Sequence, residues 1–144
     1  MAWEACTHDA AGSGPREIRV LVVDDHPLVR AALVERLSDE LDLTVVGECE
    51  DGSQVVPTAA GVLPDVVVMD LSMPVMDGLA ATQALLAAYP QPRVVMHTAS
   101  GSEVRSQVAI AGAHALVPKG IRLDELLGCV RAVAVGCACC PYCL

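Results

Sequence analysis

Aromatic residues are nearly absent from this chain. Phenylalanine does not occur, and Trp3, Tyr89 and Tyr142 are the whole aromatic complement of 144 residues. Trp3 and Tyr142 lie near the ends, so an interior has to be built from Val, Leu, Ala, Ile and Met. Basic residues are scarce as well: nine Lys and Arg stand against eighteen Asp and Glu, a formal net charge of −9. That balance excludes the basic face that nucleic-acid phosphates require. No uninterrupted apolar run is long enough to cross a bilayer. Residues 1–16 lack both the positive start and the apolar stretch of a signal peptide. They read as a flexible polar leader, and a cytoplasmic protein without membrane contact is the expectation. Seven cysteines are an odd number for a disulfide framework, and a reducing compartment argues against one.

What the chain does have is alternation. Short Val-rich runs at Ile18–Val23, Leu43–Glu48, Asp65–Met69, Arg93–His97 and Ala115–Val117 read as strands. Helical patterns separate and follow them at Pro27–Ser38, Ser53–Val62, Gly78–Ala88, Ser102–Ala111 and Leu123–Val135. The runs at residues 20–23 and 66–69 are apolar without a break, as expected of parallel strands covered on both faces. Alternating strands and helices imply a doubly wound α/β fold in one domain. Pro27 suits a first helical turn, Ser100 and Glu103 fit a capping box, and Gly112 suits a helix stop. Pro57 removes a hydrogen bond inside the second helix, which is therefore expected to be kinked or short. No linker divides the chain.

The chemistry gathers at strand ends. Asp24 and Asp25 close the first strand and Asp70 closes the third. In open α/β sheets the ligand crevice lies beyond the carboxyl ends of the strands, where strand order reverses. Three carboxylates meeting there repel by several kcal/mol at an effective dielectric of about 20. Mg²⁺, a hard cation with oxygen ligands, relieves that repulsion. Thr98 at the fourth strand and Lys119 after the fifth belong to the same end. Three carboxylates, Mg²⁺ and one ammonium sum to zero charge, a setting suited to phosphoryl transfer onto a carboxylate.

The order Asp24-Asp25, then Asp70-x-x-Met-Pro-x-Met-Asp-Gly78, then Thr98-Ala, then Lys119 resembles the response-regulator receiver domain of two-component signalling. The match runs from residue 18 to about 135, and the opening Leu21-Val-Val-Asp-Asp-His-Pro-Leu-Val-Arg30 is most similar to the NarL/FixJ branch. The resemblance implies a five-stranded parallel sheet of flavodoxin-like order 2-1-3-4-5 with helices on both faces. It implies that Asp70 accepts phosphate from a sensor histidine kinase. Asp24, Asp25, Asp70 and the backbone carbonyl of Ser72 would hold Mg²⁺, and Thr98 and Lys119 would contact the phosphoryl oxygens. Thr98 and Leu116 would form the switch that changes protein–protein contacts, and a homodimer is a candidate assembly. Such a receiver catalyses its own phosphorylation and dephosphorylation and is not otherwise an enzyme.

Departures from the family pattern are specific. Leu116 stands where an aromatic residue is usual, Pro118 precedes the lysine rather than following it, and Val75 fills a loop position where glycine is common. NarL/FixJ-type regulators normally continue into a DNA-binding domain, whereas only eight residues follow Gly136. The expectation is therefore a receiver at 17–136 that does not itself bind nucleic acid, followed by a Cys-rich tail at 137–144. Cys137, Cys139, Cys140 and Cys143 would suit a soft metal ion, although disorder is the simpler reading, as it is for Cys6 and His8. His26 is read as a helix-start residue rather than a metal ligand. His97 should face away from Thr98, and with His114 it is read as structural or exposed. Two other functions compete. A phosphatase using Asp70 would want a second Asp at position 72, which is Ser; an interaction domain that never accepts phosphate would not need Asp70 and Lys119.

Overall fold

Apolar strands that alternate with helices have to stack side by side and be covered on both faces, and the computed structural model shows that arrangement. It describes residues 17–99, 101–136 and 141–144, with the backbone alone at Ser102. The strands are β1 (Ile18–Val23), β2 (Leu43–Cys49), β3 (Val66–Met69), β4 (Arg93–Thr98) and β5 (Ala115–Pro118). The helices are α1 (Pro27–Ser38), α2 (Val55–Val62), α3 (Gly78–Ala88), α4 (Arg105–Ala111) and α5 (Leu123–Ala134). All pairings within the sheet are parallel and the order is β2-β1-β3-β4-β5, the flavodoxin-like order expected. Leader residues 1–16, with Cys6 and His8, lie outside the described residues, as do Ser100, Cys137, Cys139 and Cys140.

Side-chain alternation along each strand divides the interior in two. Val20, Val22, Val66, Val68 and Val95 meet Leu33 and Leu37 of α1 and Leu126, Leu127 and Val130 of α5. Leu21, Val23, Val67, Met69, Val94 and Met96 meet Val55 and Ala59 of α2, Ala81 and Leu85 of α3 and Val108 of α4. Both cores are aliphatic, as the shortage of aromatics demands. Arg131 of α5 reaches Asp42 at 2.7 Å and Glu40 at 2.7 Å, clasping α5 to the turn before β2.

Two helix starts differ from the sequence pattern, and a third agrees with it. The second helical segment opens with a 3-10 turn at Gly52–Gln54, capped by Asp51 accepting from the Ser53 N–H at 2.6 Å, so α2 proper begins at Val55. Pro57 then falls in the first turn, where its missing N–H costs nothing. The helix is short, as expected, and the proline is not the cause of a kink. α4 likewise follows a 3-10 turn at Ser102–Val104 and ends at Gly112 with φ of 102°. In α3 the chemistry is cleaner: Asp77 caps it by accepting from Ala80 N–H at 2.9 Å.

Gly78 opens α3 because nothing larger fits. A Cβ there would run into the carbonyl oxygen of Asp70 and lie 2.9 Å from the Cα of Leu71. Gly78 N–H also donates to Leu71 C=O at 2.8 Å, locking the loop that carries Asp70. Val75, in the same loop, is exposed and holds φ of 66°, a left-handed conformation that a β-branched residue adopts at a cost. Gly78→Ala is expected to lower stability by about 2 kcal/mol through overpacking. Val75→Gly is expected to raise it by about 1 kcal/mol through relief of strain. Urea denaturation of the two variants checks both signs.

Candidate functional site

β1 and β3 are neighbours in register, with Val23 opposite Met69, so the residues that follow them emerge side by side at one edge of the sheet. Asp24 N–H continues the ladder to Cys49 C=O at 3.1 Å and Asp70 N–H to Val23 C=O at 2.9 Å. The backbone thus aims these acids into the crevice where strand order reverses. Asp24 is 1 % exposed and Asp70 is 3 % exposed. Asp25 is half-buried beside them.

Lys119 follows β5, and its backbone N–H donates to Thr98 C=O at 2.9 Å, which fixes where its side chain starts. The ammonium reaches Asp24 Oδ2 at 3.0 Å and Asp70 Oδ1 at 3.3 Å. Sequence reasoning placed these four residues together, and they are together. Thr98 is buried at the end of β4, the strand next to Asp70. Ser72 is exposed on the loop two residues beyond Asp70. Leu116 is buried in β5, opposite Met96, in the core that α4 covers.

His26 enters the site more deeply than a helix-start role requires. It does stand at the N-cap of α1, and its backbone N–H donates to Asp24 Oδ1 at 2.8 Å. Its imidazole Nδ1 also lies 3.2 Å from Asp24 Oδ1, 3.1 Å from Asp25 Oδ1 and 3.8 Å from Asp70 Oδ2. No periodicity signals that contact, because the β1–α1 turn sets it.

One positive side chain does not neutralise this cluster. Burial and the neighbouring charge of Asp24 push Asp70 up to about 6, with Lys119 pulling the other way. Burial alone would lower Lys119, but its bonds to Asp24 and Asp70 outweigh that and its pKa is raised. Asp70 Oδ2 is buried without a hydrogen-bond donor, Asp25 Oδ1 has only the His26 imidazole beside it, and Asp24 Oδ2 has only the charge of Lys119. Ligand atoms of Asp24, Asp25, His26 and Asp70 all fall within 4.8 Å of one another. Orphaned, hard carboxylate oxygens at that spacing fit a small divalent cation such as Mg²⁺.

The two core-facing histidines take different places. His97 lies on β4 one residue before Thr98, so strand alternation sends it to the face shared with Val95 and α5. It is buried, and burial with the positive charge of Lys119 lowers it to about 4. His114 instead accepts the Val94 N–H on Nδ1 at 2.9 Å. Tyr142–Leu144 lie against β5. Among the described residues the acidic group is the one metal-sized cluster, and no helix is long and apolar enough to cross a membrane.

The response regulator receiver domain family matches residues 20–131. Response regulator GacA of Pseudomonas viridiflava is 40 % identical over 120 residues, covering 83 % of this chain and 56 % of that protein. The chain therefore spans about half the length of the curated relatives it matches. Among solved structures, a two-component response regulator of the LuxR family from Aurantimonas sp. SI85-9A1 superposes with a TM-score of 0.80 at 30 % identity, over 84 % of this chain and 87 % of that one. The signal receiver domain of the putative response regulator NarL from Mycobacterium tuberculosis gives 0.78 at 35 % identity, over 85 % and 99 %.

The raised pKa of Asp70 carries a stability cost of known sign. Its folded value of about 6 exceeds its unfolded value of 3.8, so the metal-free fold is penalised progressively as pH rises through that window. Asp70→Asn is therefore expected to stabilise the metal-free protein by about 3 kcal/mol at pH 7, with the gain fading as pH falls from 6 towards 4. Thermal melts of the two proteins in chelator at several pH values check it.

Proposed function

The chain belongs to the response regulator receiver domain family, and from that premise we propose that Asp70 is its phosphoacceptor, charged by the phosphohistidine of a sensor histidine kinase. One observation carries the reading. A buried carboxylate has one oxygen held by an ammonium at 3.3 Å and the other without a donor, facing two further acids. A merely structural aspartate would have both oxygens satisfied.

The chemistry follows from these positions. With a pKa of about 6, Asp70 is mostly ionised at neutral pH and available as a nucleophile. A carboxylate oxygen of Asp70 attacks phosphorus, the P–N bond to the kinase imidazole breaks, and a mixed anhydride forms at residue 70. Asp24, Asp25, Asp70 and the backbone carbonyl of Ser72 are the groups that would hold Mg²⁺. When bound, that ion supplies positive charge to the phosphoryl oxygens and offsets the acidic cluster. Lys119, already within ion-pair reach of Asp70, takes up the second contact to the phosphoryl group. The buried Thr98 offers its hydroxyl from β4. Hydrolysis returns Asp70 to the free carboxylate, and no metabolite is turned over.

Phosphorylation replaces the single charge of Asp70 with about two and adds acceptor oxygens. Drawing Thr98 towards those oxygens shifts β4 and with it Leu116 and α4, biasing an existing equilibrium rather than creating a new state. The output is a change in protein–protein contacts, with a second copy of the chain among the partners. The cytoplasm is the compartment this reading requires.

Incubation with Mg²⁺ and acetyl phosphate, followed by intact mass measurement, is expected to give one acid-stable, base-labile phosphoryl adduct. Chelator, Asp70→Asn or Asp25→Asn should each reduce it at least tenfold. Steady phosphate release from varied monoesters would point to a phosphatase instead. Neither adduct nor turnover would leave an interaction domain that never takes phosphate.

A further inference from the structure

β5 is the last strand of the sheet, so one side of it has no neighbour among the five parallel strands. An open edge of this kind templates pairing with any extended segment. Here the chain supplies its own. Ala115 pairs with Cys143 in antiparallel sense. Leu116 N–H donates to Tyr142 C=O at 2.9 Å, and Leu144 N–H donates to His114 C=O at 3.0 Å.

The same short segment touches both helices that flank the edge. Arg105, the first residue of α4, donates from Nη2 to Cys143 C=O at 2.9 Å. Tyr142 Oη donates to Glu125 Oε2 of α5 at 3.2 Å. Tyr142 and Cys143 pack against the core under α5, and Leu144 against the core under α4. Strand, preceding helix and following helix are thus tied by residues 142–144.

We propose that residues 141–144 are an intramolecular strand latch on the α4–β5–α5 face that restrains phosphorylation-linked movement of β5 and α4. The proposal rests on the phosphoacceptor reading of Asp70. Leu116 is the residue expected to move, and its own amide is what the latch holds. A contact made in only one of two states biases the equilibrium against the other, and linkage makes the effect reciprocal. Releasing the latch therefore favours phosphorylation, and phosphorylation loosens the latch. While docked, the segment also occupies the edge that a strand from a second copy would need.

Two variants test this: a chain ending at Cys140, and Leu144→Pro, which removes the N–H given to His114. Amide hydrogen exchange at Leu116 is expected to quicken at least tenfold in both, with β1 and β3 unchanged. Labelling of Asp70 by acetyl phosphate with Mg²⁺ is expected to run at least threefold faster in both. In the intact chain, beryllofluoride with Mg²⁺ should quicken exchange at Leu116. Unchanged exchange at Leu116 in the variants would overturn the latch. Faster exchange with an unchanged labelling rate would overturn its coupling to phosphorylation. General acceleration across β1 and β3 would mean that the segment serves global stability only, which also overturns it. Absence of adduct in every protein would instead overturn the phosphoacceptor reading, while Leu116 exchange still reports the strand contact.

Discussion

Like charges forced together at the edge of a parallel sheet are the constraint on which this protein turns. β1 and β3 are neighbours, covered by helices on both faces, and their pairing delivers Asp24 and Asp70 to one crevice, nearly out of water. Bringing them there raises the free energy of the fold. Lys119 recovers part of it through two close ion pairs, and its backbone is held at that spot by Thr98. The remainder appears as the elevated pKa of Asp70 and as carboxylate oxygens without donors. Uncompensated charge of this kind is what makes a site responsive. A divalent cation or a phosphoryl group changes the local balance by a whole unit or more, so the surrounding elements feel its arrival.

The local backbone is arranged to keep that tension in place. Gly78 allows α3 to start against the Asp70 carbonyl, and its N–H closes the loop onto Leu71. Asp77 caps the same helix. Val75 holds a left-handed conformation between them, strain carried by a loop that also carries the acceptor residue. Arg30, from α1, donates to the Asp24 carbonyl at 2.7 Å and pairs with Glu48 at 3.3 Å, bracing the β1 end from the other side. The acidic pocket is therefore rigid by construction. The shortest of the five helices, α4 with seven residues, lies beside β5 at the far side of the sheet from β2.

Most of the architecture was legible in the residues, for a physical reason. Continuous apolar runs in β1 and β3 point to a doubly covered parallel sheet, whose ligand crevice lies beyond the strand ends. The strand order that makes Asp24, Asp25, Asp70 and Lys119 converge came with the resemblance to receiver domains, and the observed order matches it. Helix starts were less legible where a short 3-10 turn precedes the helix, because Asp51 and Glu103 cap those turns rather than the helices themselves. The place of Pro57 is hidden for the same reason, since its distance from the helix start at Val55 depends on that turn. The His26 imidazole lay beyond sequence reasoning for another reason. Its place among three carboxylates is set by the angle of the β1–α1 turn, which no spacing rule encodes. The pairing of Tyr142–Leu144 with β5 joins positions far apart in the chain and carries no periodic signal.

The acidic site and the C-terminal strand contact meet at Leu116. Its side chain is buried with Met96 and Val108, close to the strand that carries Thr98, while its amide is given to Tyr142. A leucine buries less area than the aromatic residue its family favours there, so the inward and outward placements of this side chain differ by less apolar transfer energy. A weaker intrinsic preference leaves the equilibrium more exposed to other contacts. Backbone bonds from residues 142–144, the Arg105 contact to α4 and the Tyr142 contact to α5 all bear on the same small region. Each net hydrogen bond is worth about 1 kcal/mol, and a shift from one dominant state to the other needs roughly 5 kcal/mol of differential interaction. The contacts of residues 142–144 together are therefore of the size that the proposed latch needs to bias the resting population.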